Sequence, residues 1–438
     1  MKFSHLEWRI MISSELKKFI NSSEFEKVVQ DIYCSAKKED IEDERQRYLK
    51  TLDEAVELYG DGDYHIISSP GRVEISGNHT DHQRGNVVAA SINIDNLCFV
   101  KKTDDMKVSF ADKVFGKNEI DISNLSVHEE EKSNTKSILR GTAARYKELG
   151  YGIGGFRAYQ DMRVLVGSGL SSSACFEILI TEIYNYFYND NKIDAVERAM
   201  ISQWVENNFF GKPCGLMDQM AISVGSFVSI DFYDKDKPKI EKQSFSFGDY
   251  GYQLLVINTR DGHADLTDEY AAIPAEMKEV AKYYGVEVLS QVDENEFFKD
   301  INKLRLAIKN DRAILRAYHY FNENNRAKEL NKALKERDID TVLAIMKKSG
   351  NSSYKFLQNV YAASSTKNQG VAIAIAMSNK FIGDNGICRV QGGGFAGTIQ
   401  VILENDMVSK FIANMEEIFG KDSIMPVEIR NSGTKVII

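Results

Sequence analysis

Glycines, serines and acids recur along this chain in patterns that could handle phosphate and hydroxyl groups. Gly167, Ser168, Gly169, Leu170, Ser171, Ser172, Ser173 and Ala174 follow directly on the apolar run Val164, Leu165 and Val166. Read as a short strand, a glycine loop and a helix start, this unit is an anion trap. Unpaired N–H groups converge at the positive end of a helix dipole, and glycine lets a phosphate come close to the backbone. The same letters also spell a tight turn with serine caps. No Gly-Lys-Ser/Thr follows, which excludes a Walker A loop, and the third glycine of a dinucleotide-binding fingerprint is missing.

A second polar concentration runs from Gly71 to Gly85 and holds Arg72, Asn78, His79, Asp81, His82 and Arg84. Loops this rich in donors and acceptors read sugars and phosphates, although His79 and Asp81 also suit ordinary turns. Glu206 and Asp218 form a third, acidic pair, and Asp218 alone reads as the cap of the apolar helix that follows it. Near the end, Gly392, Gly393 and Gly394 stand between a loop and an expected strand from Thr398 to Leu403, where they could form a hinge.

The elements that must position these groups follow from hydrophobic periodicity. Residues 1 to about 60 are densely charged, with Ile41, Tyr48, Leu49, Leu52, Val56 and Tyr59 at helical spacing; they predict a helical arm packed on the body of the protein. Tyr64 to Pro70 predicts a strand ending in a proline turn, Val87 to Val100 further strands, and 104 to 132 a hairpin-rich acidic excursion. Helices are expected over Ser137 to Leu149, Ala174 to Phe187 and Asp194 to Phe210, and strands over Phe227 to Asp231 and Tyr252 to Asn258. Helices then run from about 271 to 380, one of them presenting Arg312, Arg316 and His319 as a salt-bridged surface.

At 438 residues the chain exceeds one ordinary core, so two domains are expected. Its 43% apolar and 27% charged residues are those of a soluble globular protein. A net charge of −9 suits neither nucleic acid nor anionic lipid across a broad face, so an anionic ligand needs a local site. The five cysteines are scattered, without metal-ligand spacing, and read as reduced thiols. With neither a signal-peptide core nor a run near the roughly 20 apolar residues of a membrane span, the expected location is cytoplasmic.

Gly-Ser-Gly-Leu-Ser-Ser-Ser-Ala resembles the second motif of the GHMP kinases, with Leu165 where the family usually carries proline. The 71–82 segment resembles that family's galactokinase signature, Gly-Arg-Val-Asn-Leu-Ile-Gly-Glu-His-Thr-Asp-Tyr. Cys214-Gly-Leu-Met-Asp-Gln219 resembles the galactokinase Cys-Gly-Ile-Met-Asp-Gln, with Glu206 at the family's distance before Asp218. Gln391 to Gly397 resembles the third family motif, with Gln391 and Ala396 as departures.

The resemblance implies an α/β (α+β), two-domain GHMP kinase architecture with the active site in the interdomain cleft. Its parts would be a helical extension (1–60), an N-terminal kinase domain (61–245) and a C-terminal kinase domain (246–438). It implies transfer of the ATP γ-phosphoryl group to the anomeric hydroxyl of galactose, with Asp218 as base and Arg72 stabilising charge. Residues Gly167 to Ala174 would cradle ATP, Ser173 and Glu206 would hold Mg²⁺, and Asn78, His79, Asp81, Gly215 and Tyr270 would bind sugar. The implied partners are sugar and ATP, in a monomer or weak homo-oligomer. Asn78 stands where the family has the glutamate that meets the C6 hydroxyl, so a C6-modified sugar such as galacturonate is an alternative. A non-catalytic sugar sensor is a rival, set against the intact serine motif. A kinase for a non-sugar alcohol is set against the Gly-Asn-His-Thr-Asp loop.

Overall fold

The computed structural model describes residues 12–164, 169–212, 214–234, 236–261, 266–365 and 367–438. The arm consists of helices α1 (Ser13–Ile20), α2 (Ser23–Tyr33) and α3 (Lys38–Tyr59). Ser22 starts α2 by accepting hydrogen bonds from the Glu24 and Phe25 amides. Tyr48, Leu52 and Ala55 pack on Ile66, Leu97 and Phe99 of the sheet below, which gives the arm's apolar stripe its partner. Arg47 of α3 reaches through this layer to the buried carboxylate of Asp95, at 2.8 Å.

The first sheet contains β1 (His65–Ser76), β2 (Asn86–Lys102), β3 (Lys107–Asp112), β4 (Gly116–Asp121), β5 (Phe156–Met162), β6 (Phe227–Asp231) and β7 (Lys239–Gln243). Helices α4 (Thr135–Glu148), α5 (Ser172–Tyr188), α6 (Ala195–Val205) and α7 (Met217–Val224) are interspersed with these strands. The second sheet takes β8 (Tyr252–Asn258), β9 (Gly386–Val390), β10 (Thr398–Glu404) and β11 (Ile424–Val427). Between β8 and β9 lie α8 (Thr267–Tyr283), α9 (Glu294–Lys299), α10 (Ile301–Ile308), α11 (Asp311–Glu336), α12 (Ile339–Ser352) and α13 (Gly370–Ile382). After β10 come α14 (Val408–Phe419), β11 and then β12 (Lys435–Val436), which returns to the first sheet.

The first sheet has eight strands, in the order β12-β1-β2-β5-β3-β4, with β6 and then β7 on the other half of β2. The long β2 serves two neighbours: Asn86–Ala90 pairs with β6 and Asn96–Lys102 with β5. The second sheet is antiparallel throughout, in the order β11-β8-β10-β9. An apolar core that includes Val73, Val88, Ile178, Ile230, Leu254, Leu334 and Ile402 joins the two sheets through the intervening helices.

Three sequence expectations need correction. The strand expected to stop at Pro70 runs on to Ser76, because Pro70 and Gly71 sit at an irregularity in the β1–β2 ladder, where a missing N–H is tolerated. The helix expected to reach Phe210 ends at Val205, and Glu206–Phe210 follow as one wider π-turn. Val164 of the strand expected before the glycine loop lies outside β5, and Leu165 and Val166 lie outside the described residues. Among the described residues no helix is long and apolar enough to cross a membrane.

Candidate active site

The β1 irregularity aims Arg72 into a cavity of about 140 Å³ lined also by Glu74, Asn78, His79, Asp81, Ser173, Glu206, Gly215 and Asp218. Arg72 grips Asp218 with both edges of its fork, Nε to Oδ1 at 2.7 Å and Nη2 to Oδ2 at 2.8 Å. Its third nitrogen, Nη1, donates to the Gly169 carbonyl, and Ser171 Oγ donates to Asp218 Oδ2. One guanidinium therefore ties the acid to the glycine-serine loop. Asp218 is the second residue of α7, and its carboxylate turns to Arg72 instead of capping the helix. Burial opposes its charge, but Arg72 outweighs that penalty, and with the Ser171 hydrogen bond it holds the carboxyl below its ordinary value. About a third of the Asp218 side chain, 32%, still faces the cavity.

The loop itself is described from Gly169 onward; Gly167 and Ser168 lie outside the described residues. Gly169 has φ +71° and Ser171 φ +62°, so two left-handed residues within three positions bend the chain into α5. Ser172 and Ser173 open that helix, with Ser173 at the cavity, while Leu170 and Ala174 are buried beneath it. Gln391 of the third glycine stretch closes the loop from the other side, its Nε2 donating to Gly169 O at 3.3 Å and Arg72 O at 3.4 Å.

In the loop between β1 and β2, His79 and Asp81 both line the cavity. His79 is left-handed, with φ +58°, and its ring lies 3.0 Å from Gly393 O through Nε2 and 3.1 Å from His82 through Nδ1. Burial, with His82 nearby, lowers its pKa to about 3, so the ring is neutral and Nε2–H donates to Gly393. Asp81 Oδ1 accepts from the His82 amide at 3.0 Å. Its Oδ2 lies so close to Gly215 that a Cβ there would come within 1.7 Å, so any larger residue at 215 would displace the Asp81 carboxylate.

Asn78 is buried and saturated. Its amide nitrogen donates to Glu74 Oε2 and Gly392 O, both at 2.8 Å, and its oxygen accepts from Asn359 at 2.8 Å and Ser353 at 3.1 Å. Tyr270 stands one layer back from the cavity: its hydroxyl donates to Gly394 O at 2.8 Å and its ring lies against Gly393. Burial raises that hydroxyl to about 12.

Sequence reasoning missed three acidic or amide neighbours. Glu74 lines the cavity, 2.7 Å from Arg389, so the carboxyl group absent at 78 is present four residues earlier on the same wall. That exchange was visible within the motif, where Asn is usual at 74 and Glu at 78. Glu177 and Glu206, from α5 and the π-turn, converge on the Gln219 amide at 3.2 and 2.8 Å, and Lys212 lies 3.7 Å from Glu206. Burial, reinforced by the Glu206 charge, raises the Glu177 carboxyl well above its usual range, and its Oε1 has no hydrogen-bond partner among the described residues. No local pattern signals this convergence, because the three side chains come from separate elements.

The Glu206 carboxyl group and the Ser173 hydroxyl line the same cavity; both are hard oxygen groups, and Mg²⁺ is commonly held by one or two such groups together with substrate phosphates. Ser173 and Glu206 fit that role.

A family model described as "GHMP kinases N terminal domain" matches residues 137–226, and one described as "Galactokinase galactose-binding signature" matches 56–102. A galactokinase from Clostridium tetani is 28% identical over 366 residues, covering 82% of this chain and 90% of that protein. One from Glaesserella parasuis is 29% identical over 389 residues, covering 86% and 96%. In fold, the chain is similar to the crystal structure of Lactococcus lactis galactokinase complexed with galactose, with a TM-score of 0.77 at 24% identity over 89% of this chain and 99% of that one. A mevalonate kinase structure is similar with a TM-score of 0.58 at 15% identity, over 84% and 99%. Arg72, Asp218 and the glycine-serine loop thus meet in one cavity, in a chain that is similar to the GHMP kinase N-terminal domain over 137–226, to the galactokinase galactose-binding signature over 56–102, and in fold to a galactokinase.

Proposed function

We propose that this protein is an ATP-dependent sugar-1-kinase that phosphorylates the anomeric hydroxyl of galactose, working in a cleft between domains 61–245 and 246–438. The observation that carries this reading is the Arg72–Asp218 pair, joined through Gly169 and Ser171 to the phosphate loop and facing the same cavity as Asp81. Phosphoryl transfer asks a protein for an in-line hydroxyl, an acceptor for its proton and positive charge around the moving group. Asp218, kept ionised by Arg72, takes the proton from the C1 hydroxyl as that oxygen bonds the γ-phosphorus of ATP and the bond from phosphorus to the β,γ-bridging oxygen breaks, with ADP as the leaving group. Arg72 offsets charge on the transferred group while keeping the base fixed. The backbone donors of the loop, from Gly167 to Ala174, hold the triphosphate.

Ser173 and Glu206 would hold Mg²⁺, which would supply positive charge against the phosphates. Glu177 and Gln219 set the direction of the Glu206 carboxylate. Asp81 suits a vicinal diol, since a carboxylate accepts from two hydroxyls. The galacturonate alternative rested on a missing carboxylate at 78, and Glu74 offsets that loss. The intact pair and serine loop support catalysis over a sensor role. A cytoplasmic monomer or weak homo-oligomer is consistent with this chemistry.

The test is a coupled ATPase screen over galactose, galacturonate, N-acetylgalactosamine, arabinose and glucose. Galactose is expected to be turned over best; turnover confined to the uronate overturns the choice of sugar, and no turnover with any of them overturns the enzyme.

A further inference from the structure

The loop that carries His79 and Asp81 is held from behind by one helix of the other half of the chain. Helix α11 meets it at four points. His319 Nε2 lies 2.9 Å from the Asn78 carbonyl. Glu323 Oε1 accepts from the Gly77 amide at 2.8 Å and from Ser76 Oγ at 3.0 Å. Tyr320 donates to Gln83 O at 3.3 Å, and Asn324 Oδ1 accepts from the Asn86 amide at 2.8 Å. Residues 319 and 323, and likewise 320 and 324, are one turn apart, so adjoining rows of one helix face cover both ends of the loop.

The loop needs such support because it holds conformations the chain does not adopt unaided. Gly77 has φ +97°, with Val87 Cα 2.5 Å from where a Cβ would be, and His79 has φ +58° without being glycine. The clamp is buried: His319 and Glu323 are both 0% exposed. The His319 ring is wedged between the Asn78 carbonyl and Ser352 Oγ, 2.9 Å from Nδ1, which suits a neutral ring donating through Nε2. Glu323 also accepts from Ser349 and, at 2.6 Å, from Arg326, so its charge is matched where it is buried.

Resting on the kinase reading above, we propose that His319 and Glu323 are positioning residues of the sugar pocket, fixing residues 76–79 from α11 and thereby setting the affinity for the sugar without touching it. A filler role would leave sugar affinity alone once the protein is folded. A clamp changes the sugar KM and leaves the ATP KM in place, because the glycine-serine loop is held at its Gly169 carbonyl by Arg72 and Gln391 instead.

The experiment measures sugar KM, ATP KM and calorimetric galactose binding for the full chain and for His319→Phe, His319→Gln and Asn324→Ala. His319→Phe keeps a ring but loses the donor, and its sugar KM is expected to rise about tenfold or more, with the ATP KM within about twofold. His319→Gln restores a donor to the Asn78 carbonyl and is expected to recover most of that loss. Asn324→Ala disturbs no buried charge and is expected to raise the sugar KM about threefold, deciding the matter if the phenylalanine variant does not fold. A folded His319→Phe or Asn324→Ala with unchanged sugar KM, a parallel rise in ATP KM, or no recovery with glutamine overturns the clamp. If the unaltered chain binds galactose but turns over no sugar, the kinase reading fails and the binding constants of the same variants still judge the clamp. If it binds no galactose, both fall.

Discussion

The two ends of the cavity are built on opposite principles. At the end proposed to hold phosphate, Asp218 keeps a third of its surface open and is held by a charge, Arg72, and by one hydroxyl, Ser171. At the end proposed to hold sugar, the Asn78 side chain uses every hydrogen-bonding position on protein partners, and both nitrogens of His79 are engaged. A group that must accept a proton has to be reachable and electrostatically tuned, whereas a wall that discriminates between sugars has to stay still. Changes at the first end should therefore appear in turnover, and changes at the second in sugar affinity and stability.

Removing the charge of the acid breaks the comparison most directly. Asp218→Asn keeps the size of the side chain and is expected to lower kcat by about 10²–10⁴-fold while calorimetry still detects galactose and ATP. Equal loss of sugar binding would place Asp218 in recognition instead. Arg72→Lys keeps a positive charge but loses the fork, with an expected loss in kcat of about 10²-fold. It should also move the acid limb of the pH–rate profile. As the proposed base Asp218 would work ionised, and its pKa is depressed in the folded protein, so activity is expected above that pKa and lost as pH falls through it. A weaker partner raises the pKa, and the limb shifts to higher pH; a stationary limb would show that another group titrates there.

The recognition end gives a subtler signature. Asn78→Glu places a second carboxylate against Glu74 and leaves the Gly392 carbonyl without its donor, for an expected cost of about 1–3 kcal/mol in stability. Glu74→Asn alone strands the buried Arg389 guanidinium. The double change restores one carboxylate and one amide on the wall, so thermal or denaturant melts should show it less destabilised than the sum of the single changes, with a coupling of about 1 kcal/mol or more. Strict additivity would mean the two positions do not act as an exchanged pair.

What the sequence made legible was local. Phe227–Asp231 and Tyr252–Asn258 are strands because their apolar residues sit between turn-forming neighbours, and the structure has them over those residues. The glycine-serine and Cys-Gly-Leu-Met-Asp-Gln stretches stood out because residue types that chemistry requires are crowded together. What stayed hidden depends on residues far apart in the chain. Arg312, Arg316 and His319 read as one salt-bridged face, yet only the arginines pair with Glu276, while His319 turns to a carbonyl 241 positions away. Asn78 looked like a sugar contact until Asn359 and Ser353 arrived to occupy its oxygen. Periodicity cannot report saturation by distant partners, since it records which face is buried and not what meets it.

The smallest expected effect tests the boundary between the two ends. Lys212 is 65% exposed and lies 3.7 Å from Glu206, the only cation with a described ion pair to that acid. An exposed ammonium at this distance is worth about 0–1 kcal/mol, because water and salt screen it. It nevertheless competes for the carboxylate that a divalent cation would use. Lys212→Met should therefore lower the Mg²⁺ concentration for half-maximal rate by less than about fivefold, following that energy range, with sugar KM unchanged. The assay holds ATP and galactose saturating and titrates the metal. A rise in the requirement would mean that Lys212 steadies phosphate and does not compete for Glu206, and the cation would then belong with Arg72 at the charged end of the cleft.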